Sequence, residues 1–132
     1  EDFSNFATAL ELYRADWGKF PVATTTVSVS DKNGVFYTEL TGTGSVTGTG
    51  SVGAVNVADK KTITGFPGGI QYVKPDTLLN LVSPYDPNKS YYYVSDKNGH
   101  AWILYVEDSN GKYVYRTDST SSLQTTASVP GF

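Results

Sequence analysis

The chain of 132 residues has no cysteine, no methionine, a single histidine and only 17% charged residues. Without cysteine there is no disulfide, no thiolate nucleophile and no cysteine-built zinc site. Ten basic residues against thirteen acidic ones leave a net charge of −3. The basic patch that nucleic-acid binding requires is therefore missing, as are the polybasic clusters that bind anionic membranes. No apolar run approaches the roughly 20 residues needed to cross a bilayer, and no signal peptide is visible. The glycine repeats lack the Lys-Ser/Thr ending of a phosphate loop. His100 follows an Asn-Gly turn, and no nucleophile with a third orienting group can be named around it, so an enzyme is not expected.

What fills the composition is Thr, Ser, Gly, Asn and ten tyrosines. That mixture suits strands and turns with a weakly charged exterior. The length fits one domain, 1–132, able to bury roughly two-thirds of the surface its unfolded chain exposes.

The first stretch organises the rest. Phe3, Phe6, Leu10, Tyr13 and Trp17 recur at intervals of three and four, one continuous apolar stripe on a helix of about 3.6 residues per turn. Gly18 ends the run as a left-handed residue after the helix, and Pro21 stops it resuming. The stripe begins at Phe3 with no capped entry. Together with the lack of any Met, this leads to the expectation that the helix continues before Glu1 and that a leader has been removed.

Beyond the helix, residues 22–75 read as a variable connecting region. The alternation at Val27 and Val29 predicts a strand over Val22 to Ser30, and Asn33-Gly34 predicts a type I′ hairpin turn into a second strand from Val35 to Leu40. From Thr41 to Val57 the Gly-Thr-Gly-Ser-Val pattern suggests an exposed display loop. Ile70 to Val73 reads as a short strand, and Asp76 as the cap of one or two helical turns that Pro84 ends. Residues 76–132 then give the clearest pattern: strands from Tyr91, from His100 and from Lys112 joined by Asp96-Lys-Asn-Gly99 and Asp108-Ser-Asn-Gly111, an antiparallel meander with a tail. Its middle strand is apolar on both faces, Ala101, Ile103 and Tyr105 against Trp102, Leu104 and Val106. One face can take the helix; the other needs the glycine-rich segment, the hairpin or another subunit. The fold class is α+β, one N-terminal helix packed on an antiparallel sheet.

Two stretches resemble a known family. Ala9-Leu-Glu-Leu-Tyr-Arg-Ala-Asp-Trp-Gly-Lys-Phe-Pro21 is similar to the end of the long N-terminal helix of type IV pilins and of the major pseudopilin of type II secretion. Leu81-Val-Ser-Pro-Tyr-Asp-Pro87, followed by Tyr91-Tyr-Tyr93, resembles that family's Pro-x-Asp-Pro turn leading into a Tyr-rich strand. The resemblance implies a structural subunit whose helix carries an apolar upstream half. That half would anchor it in the inner membrane before assembly and pack in the core of an extracellular filament afterwards. Partners would be copies of itself, related pilins and the inner-membrane assembly machinery, with contact to the membrane only through that upstream half. The tail from Thr117 to Phe132 has only Asp118 where major pseudopilins carry an Asp/Gly-rich calcium stretch, and it has no disulfide. A pilus subunit without cofactor is thus the first reading, and a secretion pseudopilin with calcium the alternative.

Phe3, Phe6, Leu10, Tyr13 and Trp17 are the residues expected to carry helix packing and assembly. Tyr91, Tyr93, Tyr113 and Tyr115 are the candidate exposed aromatics, for a subunit interface or for sugar stacking, which keeps a carbohydrate-binding β-domain as a second alternative. The three Asp-x-Asn-Gly segments place Gly at position four where a calcium-binding EF-hand loop needs it at six. Turns account for them better, although Glu107 falls twelfth from Asp96. Asn88-Lys-Ser90 matches a glycosylation sequon, a short pattern of little weight.

Overall fold

The computed structural model describes residues 2–42 and 71–132. The elements run α1 (Asp2–Trp17), β1 (Val27–Ser28), α2 (Val35–Thr41), α3 (Pro75–Leu79), β2 (Tyr92–Ser95), β3 (Trp102–Glu107), β4 (Tyr113–Thr117) and β5 (Gln124–Thr126). All five strands form one antiparallel sheet in the order β1-β2-β3-β4-β5.

The N-terminal helix forms as its periodicity requires. All five stripe residues are buried, while Glu11, Leu12 and Arg14 on the opposite side face solvent. Gly18, at φ +81°, donates its N–H to the Arg14 carbonyl at 2.7 Å and so closes the helix. The chain is then strapped to the far end of the sheet. Phe20 N–H donates to the Gly99 carbonyl, the Tyr93 hydroxyl donates to the Pro21 carbonyl at 2.6 Å, and Ala23 and Ser95 bond each other through backbone and hydroxyl. Within the expected strand from Val22 to Ser30, Ala23 is taken up by Ser95 and only Val27 and Ser28 enter the sheet.

The expected hairpin does not form. Val35–Thr41 is a helix, opened by Gly34 in extended conformation (φ −82°, ψ 158°) and closed by Gly42 at φ +81°. Every residue of α2 is buried. Phe36 reaches Phe6 on one side, 5.5 Å between ring centroids, and Tyr93 on the other at 5.1 Å. An apolar run enclosed on all sides has no polar face to reveal its period, so strand and helix look alike in sequence, and packing between α1 and the sheet decides for helix.

Three smaller expectations also change. Gln71 to Val73 form no strand; Tyr72 and Val73 both donate their N–H to the Leu40 carbonyl, tying this segment to the end of α2. Asp76 lies inside the first turn of α3, with Pro75 starting the helix and Lys74 as its cap residue, and the helix ends at Asn80, before Pro84 is reached. No non-glycine residue among those described has positive φ, which excludes type I′ turns. The meander turns at Asp96 and Asp108 instead place only Gly99 and Gly111 in the left-handed region, at φ +69° and +77°. Thr41 is the last residue of α2 and Gly42 its cap, both buried and not displayed; residues 43–57 of the expected display loop, and Ile70, lie outside the described residues.

The meander itself matches the sequence pattern. Tyr93 pairs with Leu104, and Val106 with Val114, on the face beneath α1 and α2; Val94 pairs with Ile103, and Tyr92 with Tyr105, on the other. The tail adds β5, which the sequence did not announce: Gln124, Thr125 and Thr126 pair with Tyr115, Val114 and Tyr113. The main core joins the stripe, α2, Leu78 and the inner sheet residues Tyr91, Tyr93, Trp102, Leu104, Val106 and Val114. A second small cluster, Val94, Ile103 and Tyr105, lies on the outer face with Tyr92, Tyr113 and Tyr115 packed around it.

Candidate functional site

The seam between α1 and the sheet is built from aromatic edges. Phe3 and Phe6 both approach the Tyr91 ring edge-on, at 5.3 and 6.4 Å between centroids, and Tyr13 meets Tyr72 in the same way at 5.6 Å. Such edge-to-face pairs each contribute about 0.5–1.5 kcal/mol beyond the area they bury. Three polar groups inside the seam are paired. Tyr13 donates to Glu39 Oε1 at 2.9 Å, Trp17 Nε1 donates to the Tyr72 hydroxyl at 3.1 Å, and that hydroxyl donates to Asp16 Oδ2 at 2.5 Å. Burial raises the Tyr13 pKa, helped by neighbouring Tyr93 and Tyr72. Burial likewise raises Tyr72, with the bond to Asp16 and its charge adding to the effect. Both hydroxyls donate, and they hold α1 to α2 and to the chain before α3. On the solvent face Arg14 pairs with Glu11 at 2.9 Å and lies 5.3 Å over the Phe20 ring. Both partners of that ion pair are exposed, so it contributes little.

The four tyrosines expected at the surface divide. Tyr91 and Tyr93 point into the core; Tyr113 and Tyr115 are half-buried on the outer face. Tyr92 joins the last two on the outer face. Alternation separates it from Tyr91 and Tyr93, yet which of the two sets faces in depends on β3, and β3 is apolar on both sides. Tyr92 stacks on Tyr105 at 5.4 Å, and Tyr105 meets Tyr113 edge-on at 5.8 Å. These three rings, with Lys89, Glu107 and Val129, border a shallow hollow of about 270 Å³. Lys89 Nζ lies 2.9 Å from Glu107 Oε1 at its rim. Trp102, on the inner face of β3, is 1% exposed and cannot offer a ring face to a ligand.

The remaining polar candidates have structural partners. Asp96 Oδ1 accepts the His100 N–H at 2.7 Å, and Asp118 Oδ1 accepts the Trp102 N–H at 3.1 Å, capping the start of β3. Asp31 and Asp108 accept backbone N–H groups within their own turns. Among the described residues no three His, Cys, Asp or Glu side chains group as metal ligands, and no helix is long and apolar enough to cross a membrane. The turn from Ser83 to Lys89 is closed by the Ser83 N–H on the Lys89 carbonyl and by Asp86, and it delivers Tyr91 to Phe3.

No protein-family model, no curated protein and no solved structure matches this chain. Its described residues form an α+β unit with an N-terminal helix laid on a five-stranded antiparallel sheet.

Proposed function

We propose that the chain is the head of a structural subunit of a type IV-pilus-like filament, acting by polymerisation and surface display and not by catalysis. The observation that carries this reading is the attachment of α1: the whole Phe3-to-Trp17 stripe is buried against the sheet and α2, while Glu11, Leu12 and Arg14 stay on the outer side. A helix gripped along one side by its own head can transmit load from a filament core to that head without unfolding it. The sequence likenesses at Ala9 to Pro21 and at Leu81 to Tyr93 support the same reading, since both fall on parts that join the helix to the sheet. In this reading an apolar helical half precedes α1, held first in the inner membrane and then among neighbouring subunits.

The test joins the chain behind a processed apolar pilin helix and expresses it in cells with working type IV assembly machinery. Filaments labelled by an antibody to the head are the expected result. A folded, membrane-anchored head that never appears in filaments would overturn the reading.

A further inference from the structure

Asn-Gly occurs three times, at Asn33-Gly34, Asn98-Gly99 and Asn110-Gly111, each after an Asp two residues earlier. Such dipeptides are prone to cyclise, because glycine hinders neither the approach of its nitrogen to the side-chain amide nor the rotation this requires. The three Asn residues are all exposed. Their glycines are not alike. Gly34 is buried and opens α2, where its carbonyl accepts both the N–H and the hydroxyl of Thr38 at 3.0 and 2.9 Å. Gly99 is buried under the strap after α1; its carbonyl accepts Phe20 N–H at 2.8 Å, and a Cβ placed on it would lie 2.6 Å from the Phe20 carbonyl oxygen. Gly111 is exposed and has nothing within 4 Å of that position. The bond that each glycine N–H makes to the preceding Asp carbonyl also lengthens along the series, from 3.0 to 3.3 to 3.4 Å.

We propose that Asn110 is a site of selective, self-catalysed deamidation in the folded protein, with Asn33 and Asn98 protected by the packing of the glycine next to each. The backbone nitrogen of Gly111, having lost its proton to solvent base, attacks Cγ of Asn110. A C–N bond forms, the bond to the side-chain nitrogen breaks, and that nitrogen leaves as ammonia with a proton taken from water. Water then opens the resulting succinimide at either carbonyl, leaving Asp or isoaspartate, with no change of oxidation state. The product carries one added negative charge at the tip between β3 and β4, beside Asp108. Isoaspartate also adds a methylene to the backbone, so the turn itself is altered. At the other two sites the backbone must first open locally, which slows the same ring closure by the opening equilibrium.

The experiment incubates the native chain in mildly alkaline buffer and follows each site by peptide mass mapping, with enzymatic methyl labelling of isoaspartate as a second readout. A parallel sample is held in denaturant. Expected is conversion of Asn110 in the native sample at close to its denatured rate, with Asn33 and Asn98 at least about tenfold slower than their own denatured rates. N110Q should abolish the native-state isoaspartate signal. Equal native rates at the three sites, or native conversion led by Asn33 or Asn98, would overturn the proposal, as would an Asn110 rate far below its denatured value.

Discussion

The hydroxyl of Tyr13 on α1 donates to the carboxylate of Glu39 on α2 across 2.9 Å of otherwise apolar interior. A carboxylate at 4% exposure, in a helix that also buries Val35, Phe36 and Leu40, depends on such donors to offset its lost hydration. Tyr13→Phe keeps the ring and removes the donor. It should cost about 1–3 kcal/mol in urea titrations. With Glu39→Gln as the second arm of a double-mutant cycle, a coupling energy near zero would show that the bond contributes nothing net.

Alkaline pH should unfold the domain. Burial is the first cause raising the pKa of Tyr13, Tyr72 and Tyr93, whereas in the unfolded chain tyrosine ionises near about pH 10. Below that value both states hold their protons and stability is intact. Above it the unfolded state releases protons that the folded state retains, so stability falls as pH rises toward the folded values. Tyr13 and Tyr93, the most deeply buried of the three, should each cost about 1.4 kcal/mol per pH unit in that window. Phenolate absorbance should therefore rise together with loss of the folded signal; ionisation of all tyrosines ahead of unfolding would contradict this.

Position on α1 should decide the effect of truncation. Leu10 is fully buried and Leu12 is 54% exposed, two residues apart on one helix. Leu10→Ala should lose about 2–5 kcal/mol, and Leu12→Ala should stay within about 0.5 kcal/mol of the parent. Equal losses in denaturant melts would mean that α1 is not held by its stripe.

The two turn glycines separate strain from collision. Gly99 and Gly111 share a left-handed backbone, but only Gly99 has an atom in the way. Gly111→Ala should cost about 1–2 kcal/mol for the backbone alone. Gly99→Ala must in addition displace the Phe20 carbonyl from the strap, so its melting temperature should fall further than that of Gly111→Ala.

The clearest lesson about legibility lies in one hexapeptide. Val-Ser-Asp-Lys-Asn-Gly occurs at Val29 to Gly34 and again at Val94 to Gly99. The second copy turns β2 into β3 with Gly99 at positive φ; the first opens α2 with Gly34 extended. Nothing inside the six residues differs. The choice is made by partners remote in sequence: Phe6 and Tyr93 close around Phe36 just after the first copy, whereas the residues after the second pair with β2 and β4. The stripe of α1 and the meander were legible because each carries its own period and its own glycine stops. The side on which Tyr91 and Tyr93 lie was not legible, because β3 is apolar both ways. β5 was not legible either, because Gln124, Thr125 and Thr126 carry no hydrophobic alternation.

The sheet's two outermost strands are its shortest, two residues in β1 and three in β5. A border that brief presents almost no run of vacant amide and carbonyl groups onto which a foreign strand could zip. Among the described residues, copies of this fold brought close together are thus offered side chains to meet through more than backbone edges to fuse along.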